Sequence, residues 1–285
     1  MINHPFVVSA QSLLDNIDNP QVVIIDCRFS LADSQLGKQQ YQNSHISNAY
    51  YLDLNLDLSS SVTEHGGRHP LPNINELSQK LSAIGVYSQT SQSQATFVVA
   101  YDDSRFAFAS RLWWLLRYLG HEKVAVLDGG FAGWLSSGYP VNNNIPERQN
   151  PSSTPNLNSS FIPKIQPQMM VDFTTVKTRK DLSGVTLVDS RERDRYLGIK
   201  EPIDKIAGHI PGAVNYPWQD VSDANGYLFS QDKQQQHWQK IKDSNEVLVY
   251  CGSGVTACVN ILSLELAGIS NTKLYAGSWS DWISY

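Results

Sequence analysis

Four segments of the chain recur, in the same order, in its second half, and this duplication limits the possible fold more than any other feature. Ile24-Ile25-Asp26-Cys27-Arg28 returns as Leu187-Val188-Asp189-Ser190-Arg191. Ser44-His45-Ile46-Ser47-Asn48-Ala49 returns as Gly208-His209-Ile210-Pro211-Gly212-Ala213. Phe97-Val98-Val99-Ala100-Tyr101-Asp102 returns as Val247-Leu248-Val249-Tyr250-Cys251. Gly129-Gly130-Phe131 with Trp134 returns as Gly277-Ser278-Trp279 with Trp282. One match could arise by chance, but four in register indicate a tandem duplication. The length of 285 residues suits two domains, each large enough to bury its own core. The expected division is a first domain over 1–145, a linker over 146–168 and a second domain over 169–285. The linker is rich in Asn, Ser and Pro and has no apolar periodicity.

Within each half, short apolar runs alternate with helical spacing. Val22 to Ile25, Phe97 to Ala100 and Val124 to Leu127 read as buried strands, with Val185 to Val188, Val247 to Tyr250 and Lys273 to Tyr275 as their counterparts. Arg105 to Leu119 and Val255 to Ala267 read as helices, with Gly120 and Gly268 at their C-caps. Alternation of this kind predicts an α/β class: two tandem domains, each a mainly parallel sheet with helices on both faces.

Composition removes several function classes. A 41% hydrophobic content is too high for intrinsic disorder. A net charge of −5 without a Lys/Arg cluster speaks against a nucleic-acid partner. No apolar run is long enough to span a membrane. No Lys or Arg precedes Phe6-Val7-Val8, so a secretory signal is not expected. The three cysteines, Cys27, Cys251 and Cys258, form no CxxC pair. They suggest a reducing, cytoplasmic compartment with neither disulfide nor zinc, and no metal or organic cofactor is implied.

Open α/β sheets bind ligands beyond the carboxyl ends of their strands. At that place in the second half stands Cys251-Gly252-Ser253-Gly254-Val255-Thr256-Ala257-Cys258. Main-chain N–H groups of such a loop converge on its centre, and the following helix adds a partial positive charge. Both favour a thiolate and would hold the anionic end of a persulfide, so Cys251 is the candidate nucleophile, required to be ionised and accessible. Cys27 and Cys258 read as structural. In the first half the matching residue is Asp102, which cannot do thiolate chemistry.

The tandem halves and the loop CGSGVTAC resemble the rhodanese superfamily, in particular its two-domain sulfurtransferases, and CGSGVT matches the 3-mercaptopyruvate sulfurtransferase branch. GHIPGA at Gly208 to Ala213 and GSWSDW at Gly277 to Trp282 extend the resemblance over nearly the whole chain. It implies that Cys251 takes a sulfur from a small-molecule donor as a persulfide and passes it to a thiol, cyanide or thioredoxin-like acceptor. It further implies a relay of Ser253, His69 and an aspartate, with Asp57 as the candidate and Asp53 as the alternative. Arg195, before an aromatic residue, would bind the donor carboxylate, with loop residues Gly252, Gly254, Val255 and Thr256 around the substrate. The second arginine of the strongest mercaptopyruvate signature is absent from Glu201-Pro202-Ile203-Asp204-Lys205, where Lys205 is the only cation. His209 shares its place with His45 of the half that lacks a nucleophile, which favours a structural role for both.

Two other readings stay open: thiosulfate:cyanide sulfur transfer by the same persulfide, and a non-catalytic binding module. The loop itself carries no basic side chain, which disfavours the thiosulfate dianion. A cysteine phosphatase would need Arg six positions after the cysteine, where Ala257 stands.

Overall fold

The computed structural model describes residues 5–89, 94–147 and 160–285. Positions 148–159 of the expected linker lie outside them. The chain forms two compact units. The first gathers the described residues up to Ser60, those from Pro72 to Gln166, and Ala224–Tyr227. The second gathers Ser61–Leu71, Pro167–Asp223 and Leu228–Tyr285, so it takes in a short stretch from the first half of the sequence.

The first unit contains β1 (Val7–Val8), α1 (Ala10–Leu14), β2 (Val22–Asp26), α2 (Leu36–Asn43), β3 (His45–Ile46), β4 (Tyr50–Tyr51), α3 (Ile74–Ala83), β5 (Phe97–Tyr101), α4 (Ala109–Tyr118), β6 (Val124–Leu127), α5 (Gly130–Ser136) and β7 (Val141–Asn142). The second contains β8 (Met170–Val171), α6 (Phe173–Arg179), β9 (Val185–Asp189), α7 (Arg193–Tyr196), β10 (Val214–Asn215), α8 (Gln231–His237), β11 (Glu246–Tyr250), α9 (Ala257–Leu266), β12 (Thr272–Tyr275) and α10 (Ser278–Trp282). The first sheet runs β1-β6-β5-β2-β4 and the second β8-β12-β11-β9-β10, with every pairing parallel. Matched strands occupy matched places, as the duplication requires. β5 and β11 lie at the centre of each sheet and are buried on both faces, which explains their unbroken apolar runs.

Helices α4 and α9 begin later than their periodicity suggests. Residues 102–108 and 251–256 are spent on loops that wind around the strand end before the helix starts. At the other end the expected glycine caps are present. Gly120 and Gly268 adopt φ of 80° and 87°. His121 N–H then reaches back to Leu116 O at 2.8 Å, and Ile269 N–H to Leu264 O at 2.9 Å, closing a Schellman turn in each unit.

The repeated Asp-x-Arg explains itself in the core. The carboxylate of Asp26 pairs with Arg28 at 2.6 Å, and that of Asp189 with Arg191 at 2.7 Å. Each arginine also donates to a carbonyl at 2.6 Å, of Ser44 and Gly208 respectively. Tyr101 and Tyr250 at the strand ends accept the N–H of Ile46 and Ile210 through their hydroxyls. Buried charges persist only when partnered in this way, and the same solution appears twice. His45 and His209 are likewise equivalent. Each uses Nδ1 on the carbonyl of the tyrosine on which it stacks, Tyr41 at 2.6 Å and Tyr196 at 2.8 Å. Trp279 is core, with its indole N–H on Ile206 O at 2.9 Å. Among the described residues no helix is long and apolar enough to cross a membrane.

His121, just past α4, is buried, and that burial lowers its pKa to about 4. The unfolded chain therefore binds the proton first as pH falls, so this group contributes stability above about pH 6.5 that is lost towards pH 4. The urea midpoint of His121→Gln should fall less steeply across that window than that of the wild type; parallel curves would remove His121 as a cause of acid sensitivity.

Candidate active site

The strand-end loop of the first unit shows what this local geometry binds. Asp102 is buried, and its carboxylate accepts main-chain N–H groups from Ser104 at 2.8 Å, Phe106 at 3.0 Å, Phe108 at 2.9 Å and Ala109 at 2.8 Å. Arg105 and Phe106 take left-handed φ values of 55° and 72° to turn those donors inward. Burial raises the Asp102 pKa, and the N–H groups of Ala109, Ser104 and Phe108 act against it. An anion held by converging amides is thus built into this unit by its own side chain.

In the second unit the same place is taken by Cys251, on a loop one residue shorter before its helix. Two close approaches shape it. Gly254 has φ of 76°, and a Cβ there would stand 2.2 Å from Ala276 O, so only glycine fits. Ser278 is a buried serine with φ of 57°; its Oγ accepts Cys251 N–H at 3.1 Å and donates to Tyr275 O at 2.9 Å. Its counterpart Gly130 has φ of 53°, so the left-handed turn is inherited while the hydroxyl is particular to the cysteine-bearing unit. Trp279 N–H to Cys251 O at 3.0 Å and Phe131 N–H to Asp102 O at 2.8 Å complete the parallel. The sequence pairing of GSW with GGF signalled the turn but not the role of the hydroxyl. Among the described residues, the N–H groups of Ser253, Val255 and Thr256 have no oxygen acceptor within the chain.

The proposed site residues fall as follows. Ser253 Oγ lies 2.7 Å from His69 Nδ1, and both residues are buried. This contact exists because Ser61–Leu71 belongs to the second unit. Gly252, Gly254 and Val255 are buried and Thr256 is half-buried. Asp57 belongs to the first unit, where its carboxylate pairs with Lys80 at 2.5 Å and accepts Asp53 N–H at 2.7 Å. Asp53 accepts the N–H groups of Asn55 and Leu56 and the Tyr51 hydroxyl. Arg195 is held by Glu201 at 2.8 Å and Asp204 at 3.0 Å.

Two expectations need correction. Cys251 is only 2% exposed, not open to solvent. The electrostatics of the loop also differ from what its own side chains imply. A Cβ on Gly252 would meet Arg68 Nη2 at 2.9 Å and Arg195 Nη2 at 3.4 Å, so two guanidinium groups cover the loop beside the nucleophile. Arg68 also forms an ion pair with Asp204. Burial lowers its pKa, and the Cys251 side chain opposes that shift. Arg68 escaped the sequence reading because its distance in sequence from Cys251 hides it. Cys27 is buried, and burial together with Asp26, Asp102 and Asp57 raises its thiol pKa well above the ordinary value, which keeps it an inert thiol. Cys258 is buried with its thiol on Gly254 O at 3.5 Å.

The Rhodanese-like domain family matches residues 9–137 and 172–285. A protein named "Probable 3-mercaptopyruvate sulfurtransferase" from Pseudomonas aeruginosa is 39% identical over 283 residues, covering 98% of this chain and 95% of that protein. "Thiosulfate/3-mercaptopyruvate sulfurtransferase 2" from Arabidopsis thaliana is 30% identical over 98% of this chain and 84% of that protein. Among solved structures, SseA from Escherichia coli, described with the rhodanese fold and catalytic mechanism of 3-mercaptopyruvate sulfotransferases, superposes with a TM-score of 0.80. It is 30% identical and covers 96% of this chain and 99% of that one.

The anion cradle of the first unit carries a stability test. Asp102→Ala leaves four N–H donors without their acceptor and should cost about 3 kcal/mol or more in urea unfolding, since each unsatisfied buried donor costs on the order of 1–3 kcal/mol. Asp102→Asn, which keeps one acceptor oxygen, should cost less; an unchanged midpoint for Asp102→Ala would mean that the carboxylate does not organise the loop.

Proposed function

The chain belongs to the rhodanese-like family, and on that premise we propose that it moves a sulfane sulfur from 3-mercaptopyruvate, through a Cys251 persulfide, to a thiol or cyanide acceptor. The observation that carries this reading is the Asp102 carboxylate. From Cβ outward it ends in an anionic atom after two bonds, as Cys–S–S⁻ does, and it sits at the equivalent strand end with its charge on main-chain N–H groups. A persulfide on Cys251 is the anion that the cysteine-bearing loop is shaped to hold.

The chemistry balances without an oxidant. The Cys251 thiolate attacks the donor sulfur, an S–S bond forms and the donor C–S bond breaks. The electron pair stays on carbon as the enolate of pyruvate, which must gain a proton. Ser253 and His69, in hydrogen-bond contact, are the groups proposed to move that proton. The acceptor thiolate or cyanide then attacks the outer sulfur and returns Cys251 as thiolate. Thiosulfate as donor is the second reading, favoured by one observation: Arg68 and Arg195 supply positive charge that the loop's own side chains lack.

Mass spectrometry after exposure to 3-mercaptopyruvate should find one added sulfur on Cys251, and Cys251→Ser should reduce thiocyanate formation to background. Retained turnover in Cys251→Ser would remove the persulfide mechanism. His69→Ala should lower kcat with 3-mercaptopyruvate roughly 10²-fold, the usual contribution of a positioned acid–base group. It should affect thiosulfate much less, because no carbanion forms; an equal loss with both donors would assign His69 a structural role.

A further inference from the structure

The stretch that brings His69 to the loop also delivers a charge. Gly66 N–H donates to Asp281 Oδ1 at 2.6 Å and Arg68 N–H to Ser280 Oγ at 3.1 Å. Gly67 has φ of 79°, and a Cβ there would stand 2.3 Å from Gly277 O. Residues 66–68 therefore lie tightly against the 277–281 turn. That same turn donates to Cys251 O and Gly252 O through Trp279 and Ser280 N–H, each at 3.0 Å. Arg68 is in this way held in register with the nucleophile: its own stretch donates main-chain N–H groups to side chains of the 277–281 turn, and that turn donates main-chain N–H groups to Cys251 and Gly252.

Two guanidinium groups this close repel unless a counter-charge separates them. Asp204 does so, with Oδ1 on Arg68 and Oδ2 on Arg195 Nη2 at 3.0 Å. Glu201 takes Arg195 by Nε and Nη2, and its Oε1 accepts Ile203 and Asp204 N–H at 3.1 Å each, which holds the Asp204 turn in place. After these contacts Arg68 Nη2 and Arg195 Nη1 have no acceptor within the chain among the described residues, and they stand 2.9 and 3.5 Å from the Cβ position of Gly252. Each guanidinium thus spends one part on a carboxylate of the protein and keeps a nitrogen at the residue next to Cys251. A planar carboxylate is the ligand such paired donors fit.

We infer that Arg68 is the second guanidinium of the donor-carboxylate site, set beside Arg195 by Asp204, which acts as a positioning residue. The inference rests on the carboxylate-donor reading above. It places a second arginine from 61–71 where the 201–205 segment has none, and gives the donor carboxylate a paired rather than a single guanidinium.

The test separates this site from the sulfur chemistry by using pyruvate as the probe and Cys251→Ser protein for calorimetry. Arg68→Gln should weaken pyruvate binding about tenfold and leave its neutral methyl ester unchanged. In the cysteine-containing enzyme it should raise KM for 3-mercaptopyruvate by a similar factor with kcat nearly kept. Arg68→Lys should recover only part of the loss, because a point charge lacks the fork. Asp204→Asn should also weaken pyruvate binding, and adding it to Arg68→Gln should cost little more. Unchanged pyruvate affinity in Arg68→Gln overturns the assignment, as does an equal change for the ester. Tighter binding in Asp204→Asn overturns the positioning role and makes Asp204 a competitor instead. Should Asp204→Asn fail to fold, Arg68→Gln and Arg68→Lys decide alone. Failure of Cys251 to take up sulfur would remove the function proposed above while leaving the binding result standing.

Discussion

Convergence of main-chain N–H groups on an anion at the end of the central strand is the constraint on which the rest depends. Backbone donors need acceptors, and a loop that winds around a strand end before starting a helix turns several of them towards one point. The first unit answers with a permanent acceptor, the Asp102 carboxylate. The second places a cysteine there, and the N–H groups of Ser253, Val255 and Thr256 are left without an oxygen acceptor among the described residues. One unit has closed its anion site with a side chain; its sister keeps the equivalent position for a sulfur.

Around that constraint both units use the same scaffold. The buried Asp-x-Arg pairs brace the neighbouring strand, and the arginines reach across to the turn that carries His45 or His209. The tyrosine hydroxyls at the end of β5 and β11 tie that turn to the central strand. These buried polar groups are satisfied, so the strand ends are rigid and the loops they launch are well placed. Differences between the units are concentrated in side chains on this common frame: Asp102 for Cys251, Gly130 for Ser278.

Much of this was legible in the chain of letters. The strands β2, β5, β6 and β11 announce themselves through the apolar runs Val22 to Ile25, Phe97 to Ala100, Val124 to Leu127 and Val247 to Tyr250, because a strand buried on both faces has no polar side to alternate; β9 and β12 carry Thr186, Thr272 and Lys273 and are recognised by their place in the repeat. Gly120 and Gly268 mark helix ends because a left-handed residue is needed there. Equivalence of His45 and His209 followed from their shared motif, and each sets Nδ1 on the carbonyl of the tyrosine on which it stacks. The helix starts were read too early, since apolar spacing continues through the loops and says nothing about where backbone donors are diverted.

By itself, the sequence determined the duplication, the parallel α/β class and the cysteine at a strand end, because each is written in local pattern or in repetition of that pattern. Only the tertiary structure decided that Ser61–Leu71 joins the second unit, bringing His69 to Ser253 and Arg68 to Gly252 and Asp204. It also decided that Cys251 is buried rather than open, with two arginines beside the neighbouring Gly252. Such meetings depend on chain segments far apart in sequence and on charges that find each other in space. No periodicity or spacing records them, since the energy that selects them exists only once the core has formed.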